Sequence, residues 1–354
     1  MKLLTYIDAV NEALHEEMER DENIFVIGED VDIDGGVWNE TAGLKERFGS
    51  RRVIGTPISE AGFTGLAAGA ALCGLRPVVH FMYVDFVHVA MDQVANQIAK
   101  AKLMFGNQVK MPAVLRMCAS GTGTREAAQH SQNLEAWFNH LPGFQVVMPA
   151  TAADAKGMMK TALRTDTPVV FIESRRVYYT EQPVPEEEYL IPFGKGEIIR
   201  SGSDVTLLTM GYMRYKALEA AEKLSNEISV EIIDLRSIKP LDMELILASL
   251  SRTGRVIVAQ EAPLINGVAA EVIRRIAEEG FDLLDAPPLA VGGRDVPTPF
   301  SEVLEDYVVP QADDVGLPGR EAGLHAPAHL GAGLPDVQFL QHGVIHADHI
   351  HQGQ

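Results

Sequence analysis

The chain has 354 residues, 46% of them hydrophobic and 22% charged, with a formal net charge of −19. That length suits about two soluble domains with full cores, no apolar run is long enough to span a bilayer, and the negative balance argues against nucleic acid as a partner. The two cysteines, Cys73 and Cys118, are too few for a disulfide framework and lack zinc-site spacing, so buried thiols in a reducing, cytoplasmic setting are expected.

Ile7, Val10, Leu14 and Met18 recur at helical spacing between Thr5 and Arg20, with Thr5 as N-cap and Asp8 in the first turn. Ile24-Phe25-Val26-Ile27 then reads as a buried strand delivering Gly28-Glu29-Asp30 at its carboxyl end, and Gly35-Gly36 marks a loop. Arg52-Val53-Ile54 is a second strand. It leads through Thr56-Pro57-Ile58-Ser59-Glu60 into Gly62–Ala71, a segment whose small residues allow a helix to lie close to a neighbour. Further on, strands are expected at Pro77–Met82, Ala113–Arg116, Val146–Met148 and Val169–Ile172, and helices at Val87–Met104, Leu134–His140 and Asp154–Arg164. Strands regularly separated by helices predict an α/β domain, a parallel sheet between helices, over residues 1–180.

The acidic, proline-broken stretch from Glu181 to Pro192 can continue neither kind of element, which places a linker at 181–195. A second α/β domain is expected over 196–310. Its strands lie at Val205–Leu208, Val230–Ile233 and Val256–Ala259, and its helices near Lys216–Leu224, Met243–Leu250 and Val268–Glu278. Over 311–354 the periodicity fades. His325, His329, His342, His346, His349 and His351 fall there, and the spacing of His342 and His346 would suit a metal on one helix face. No carboxylate–histidine motif supports that, so a flexible tail is expected.

Glu60 is the most informative single residue, a carboxylate where a strand gives way to a tightly packed helix. In open α/β sheets ligands bind outside the carboxyl ends of strands, whereas a first-turn glutamate favoured by the helix dipole needs no ligand at all. Position alone leaves both readings open.

Several segments together resemble the β subunit of the thiamin-diphosphate-dependent 2-oxo acid dehydrogenases, a family that includes the pyruvate, branched-chain and acetoin enzymes. The resemblance rests on Gly28-Glu29-Asp30-Val31, Gly35-Gly36-Val37, Thr56–Phe63, Asp92–Asn96 with Ala99-Lys100, Gln129-His130-Ser131-Gln132, His140–Gly143 and Asp154–Gly157. In the second half it continues through Asp234–Ile238 and Pro240-Leu241-Asp242. It covers roughly residues 1–310 and implies a pyrimidine-binding α/β domain followed by a transketolase-type carboxy-terminal domain.

The resemblance implies that Glu60 shares a proton with the cofactor's aminopyrimidine ring, so that the ring's exocyclic nitrogen can act as a base. Phe86 matches the aromatic that packs on that ring, Ile58 borders the cofactor, and Glu29 matches an acid in the path linking paired active sites. His130 matches a histidine that orients intermediates and manages protons during acyl transfer to lipoamide. No Gly-Asp-Gly occurs in the chain, so the magnesium-held diphosphate side is left to an α subunit in an α2β2 heterotetramer, which also counts against a one-chain transketolase. A structural potassium ion is implied through carbonyls of Ala162, Leu163, Thr165 and Thr167, although Thr165 stands where relatives can carry an acid. A dihydrolipoyl acyltransferase core is the implied further partner. Pyruvate is the favoured substrate, with acetoin and branched-chain 2-oxo acids as alternatives; His80 has the flavour of the acetoin branch. A non-catalytic scaffold is the reading from another class, and retained Glu60 and His130 oppose it.

Overall fold

The structure is a computed structural model that describes residues 1–120 and 122–316; the Cys118 side chain, Gly121 and the histidine-bearing stretch 317–354 lie outside the described residues. The strands, in chain order, are β1 (Lys2–Thr5), β2 (Ile24–Glu29), β3 (Val53–Thr56), β4 (Arg76–Phe81), β5 (Val114–Ser120), β6 (Gln145–Val147) and β7 (Val169–Ser174) in the first half. The second half contributes β8 (Glu181–Val184), β9 (Glu197–Arg200), β10 (Val205–Thr209), β11 (Val230–Asp234), β12 (Ser237–Lys239), β13 (Val256–Pro263) and β14 (Leu289–Gly293).

The larger sheet has the order β12-β6-β7-β5-β4-β2-β3 and is parallel apart from its β12 edge. Fully buried runs such as Ile24–Ile27 and Val169–Ile172 suit strands covered on both faces. Helix Tyr6–Arg20 starts where Thr5 Oγ1 accepts from the Asp8 backbone N–H. It packs on helix Ala152–Arg164, and the buried Lys156 and Lys160 ammoniums meet Glu12 and Glu16 across that contact. The smaller sheet runs β14-β13-β10-β11-β9, with β9 antiparallel to β11 and the rest parallel. Thus β12, from the second half of the chain, pairs with β6 of the first sheet and ties the two halves together.

Four expectations need correction. Instead of one helix over Val87–Met104 there is a 3₁₀ turn at Val84–Ala90, a π-helical turn at Gln93–Ile98 and a short α-helix at Ala101–Met104. The β-branched Val84, Val87 and Val89 disfavour regular α-helix there, and wide turns of this kind recur at functional sites. Within the stretch read as linker, Glu181–Val184 pairs antiparallel with Lys2–Thr5, and Pro183 is tolerated because the two strands form an isolated ribbon. In the stretch read as tail, Ala312–Gly316 is helical, with Ala312 and Val315 buried against the cluster around helix Met213–Lys223. Cys73 is exposed, because it caps the carboxyl end of helix Glu60–Leu72 at the surface.

Candidate active site

β2 and β3 run side by side and end together, with Glu29 in register with Thr56. Glu60 opens helix Glu60–Leu72 just beyond that edge. Its side chain is only 8% exposed, yet among the described residues its carboxylate makes no hydrogen bond or ion pair. The buried Thr56 hydroxyl beside it also lacks a partner. Glu29 is half-buried and its carboxyl is pushed up, first by burial and then by the charges of Asp30 and Glu60. The strand edge therefore holds two carboxylates within electrostatic reach of each other and supplies no cation between them. Unlike the Thr56 hydroxyl, the Glu60 carboxylate is not sealed from solvent, so a donor can reach it at the strand ends, and these residues fit an aminopyrimidine whose ring nitrogen can share a proton with Glu60.

A second group gathers past the ends of β4 and β5. His130 sets its ring edge-to-face against Tyr83 at 4.7 Å and against Phe86 at 5.1 Å, and Trp38 meets Tyr83 at 5.4 Å. Phe86 is thus part of an aromatic wall, carried by the 3₁₀ turn that packs on helix Glu60–Leu72. Gln132 Nε2 donates to Asp85 Oδ1 at 2.7 Å; burial raises the Asp85 carboxyl, opposed by that bond and by the charge of His130. Arg175 donates to Tyr83 Oη and pairs with Glu126, and its guanidinium lies 5.2 Å from the Trp38 ring centroid. Motif reading did not find Tyr83, Trp38, Arg175, Glu126 or Asp85. Phe86, His130 and the His-Ser-Gln motif that carries Gln132 were the sequence signals pointing toward this group.

Below the strand ends, His80 Nε2 lies 3.2 Å from Glu40 Oε1, a close contact angled away from a linear hydrogen bond. Burial pushes Glu40 up, but His80 and the charge of Arg116 outweigh it and hold the carboxyl at about 2. Glu29 feels His80 as well, so the buried pair underlies the acid edge.

Ile58 is 76% exposed on the turn between β3 and Glu60, an apolar lip open to solvent. Ala162, Leu163, Thr165 and Thr167 lie at the opposite, amino-terminal edge of the sheet, where β4 and β7 begin. Arg76 donates to the Leu163 and Thr165 carbonyls at 3.3 and 2.9 Å, and the Thr165 N–H donates to the Ala162 carbonyl at 3.4 Å. Each of these three carbonyls thus already accepts one protein donor and keeps one lone pair.

Residues 2–180 match the family described as the transketolase pyrimidine binding domain, and residues 194–315 match the transketolase C-terminal domain. The pyruvate dehydrogenase E1 component subunit beta of Rickettsia felis is 46% identical over 313 residues, covering 88% of this chain and 96% of that protein. The chain belongs to the E1 beta subunits of the 2-oxo acid dehydrogenases. The acetoin:2,6-dichlorophenolindophenol oxidoreductase subunit beta of Cupriavidus necator is 42% identical over 324 residues, covering 88% of this chain and 95% of that protein. Among solved structures, a split-gene transketolase described as an inactive beta4 tetramer superposes with a TM-score of 0.72 at 27% identity, covering 88% of this chain and 96% of that one. Membership, with the pyrimidine binding domain, implies thiamin diphosphate as the cofactor. No helix among the described residues is long and apolar enough to cross a membrane.

A cleft of about 1600 Å³ runs along the seam of the two halves and is lined by Ser131, Gln132, Trp137, Glu261 and Arg294. Glu60, Glu29, Phe86 and His130 do not line it.

Proposed function

We propose that this E1 beta subunit supplies the pyrimidine half of a thiamin diphosphate site for oxidative decarboxylation of pyruvate and acyl transfer to lipoamide. The observation that carries the reading is Glu60, buried without a protein partner at the joint carboxyl end of β2 and β3. When bound, the cofactor supplies the electron sink that decarboxylation of a 2-oxo acid requires. Glu60 holds the proton at the pyrimidine ring nitrogen, and Glu29 keeps the surroundings negative so that a proton there is retained. Phe86 and Tyr83 present ring faces and exclude water, while His130, held edge-on between them, reaches toward the substrate side for proton transfer.

In this reading an α subunit brings the magnesium-held diphosphate side and completes an α2β2 heterotetramer. Exposed apolar residues on the elements around Glu60, namely Ile58, Leu66 and Val89, support such a cover. A dihydrolipoyl acyltransferase core receives the product. The names of the relatives at 46% and 42% identity support both pyruvate and acetoin as substrates. The acetoin alternative has one specific observation in its favour, the buried His80–Glu40 pair beneath the acid edge.

The test is reconstitution with the α subunit, thiamin diphosphate and magnesium. Glu60→Gln should lower decarboxylation by at least about a hundredfold while assembly persists; near-normal turnover sinks the assignment. Comparing pyruvate, branched-chain 2-oxo acids and acetoin on the same complex separates the substrates.

A further inference from the structure

The loop from Thr122 to Ser131 carries His130, and its backbone is held in conformations that L residues avoid. Gly123, Arg125 and Ala127 have φ of +78, +65 and +62 degrees. At Gly123 the space is also closed, since a Cβ there would lie 1.8 Å from the Arg176 guanidinium. Such a backbone persists only where its surroundings over-determine it.

Those surroundings come largely from the far end of the chain. Glu305, on helix Glu302–Val308, is fully buried. One of its carboxylate oxygens accepts from the Gly123 N–H at 2.5 Å, and the other accepts from Arg125 Nη1 at 2.5 Å. Glu302 and Asp306, on the same helix, stand 3.1 and 3.6 Å from Arg125 Nη2. At the other end of the loop, Thr298 Oγ1 donates to the Ser131 carbonyl at 3.1 Å, beside the Thr122 hydroxyl at 3.0 Å. From Ser131 the chain is one peptide away from His130.

We propose that Glu305 is a positioning residue for the reaction: the carboxy-terminal domain clamps the strained Thr122–Ser131 loop through Glu305 and Thr298, and so fixes the His130 ring against Tyr83 and Phe86. Glu305 touches neither cofactor nor substrate in this scheme. Its buried charge fixes two loop donors at once, and charge-assisted bonds to a buried carboxylate are both strong and geometrically selective. The active site of the beta subunit thereby includes its second domain, although Glu60, Phe86 and His130 are all on the first. This inference rests on the acyl-transfer reading above for its kinetic part, and on geometry alone for its structural part.

Glu305→Gln and Arg125→Ala, each reconstituted with the α subunit, test it by two readouts. Amide hydrogen exchange over residues 122–131 should speed up by at least about tenfold in both variants, with other segments unchanged. The kcat for acylation of a lipoyl domain should fall by about tenfold or more, with KM and cofactor affinity held within about twofold. Decarboxylation read with an artificial electron acceptor should fall less. Glu305→Gln, which retains an acceptor for Gly123, should lose less than Glu305→Ala. Unchanged loop exchange together with unchanged acyl transfer would overturn the proposal, as would equal losses in cofactor affinity, assembly and every rate. If a Glu305 variant does not assemble, Arg125→Ala decides, because that side chain reaches the clamp from a partly exposed position. A wild-type complex that acylates no lipoyl domain refutes the functional reading, whereas the exchange data would still decide the clamp.

Discussion

Glu60 and Glu173 are both buried carboxylates near the carboxyl ends of strands in one sheet, and they differ in what they are given. Glu173 receives Arg116 Nε at 2.7 Å, Arg116 Nη2 at 3.1 Å and the Tyr178 hydroxyl at 2.7 Å. Burial works against the Arg116 charge, but Glu173 outweighs it and keeps the guanidinium firmly protonated. Glu60 receives nothing from the described residues. A closed network of this kind serves the fold, whereas a buried acid left open serves something that arrives later. Burial alone does not separate the two cases; the count of donors does.

The contrast breaks most sharply by exchange of effects. Glu60→Gln should remove activity and leave stability within about 0.5 kcal/mol, since the carboxylate makes no protein hydrogen bond that the change would break. Arg116→Ala should do the reverse in the isolated subunit. It leaves Glu173 charged and buried, at a cost of about 3–5 kcal/mol, visible as a lower urea midpoint. If Arg116→Ala proves mild, the closed network is not the support that its geometry implies.

How much of this could be read beforehand follows from the range of each interaction. The helix start at Thr5, the buried strand at Ile24–Ile27 and Glu60 at its strand end are local matters of period, cap and order, and they are visible in a few consecutive residues. Tyr83, Trp38 and Arg175 meet only once β2, β4, β5 and β7 stand in order in one sheet, and no local period marks such a meeting. Glu305 joins Gly123 over a separation of 182 residues, from a short helix whose few residues carry no local sign of that contact. The broken helix at Val84–Met104 was hidden because its apolar spacing is helical even though its valines resist the regular form.

Arg76 provides a smaller test at the amino-terminal edge of the same sheet. Its guanidinium holds the Leu163 and Thr165 carbonyls and the Asp166 carboxylate, with Asp21 also close. Arg76→Ala should cost about 2 kcal/mol, because hydrogen bonds to charged groups are each worth about 1.5–3 kcal/mol and part of this set faces solvent. Denaturant midpoints measure it, and activity of the assembled complex should be nearly unchanged. A large loss of activity instead would link this edge to the site.

The smallest effect tests acids between these two cases, buried away from the Glu60 edge and only partly partnered, since Arg176 lies 3.7 Å from Glu261. Glu135 on helix Glu135–His140 and Glu261 on β13 face the seam between the halves, and each keeps one buried oxygen without a hydrogen bond. Burial, with the charge of Glu261 added, pushes the Glu135 carboxyl up to about 7. Glu261 is also raised by burial, against the opposing charges of Arg176 and Lys216. A raised folded value means that the native state binds the proton more tightly than the unfolded chain. Glu135 therefore contributes stability below its ordinary pKa of 4.5, and that contribution is lost as the pH rises through about 7. The full swing is on the order of 3 kcal/mol, from about 2.5 units at 1.36 kcal/mol each. Glu135→Gln removes the ionisation but keeps a buried polar group, so its net gain at pH 8 should be about 1–2 kcal/mol and should vanish near pH 5. Urea midpoints for both proteins at pH 5 and pH 8 give the answer; equal differences at the two pH values would mean that the seam acid is already neutral or already paired throughout.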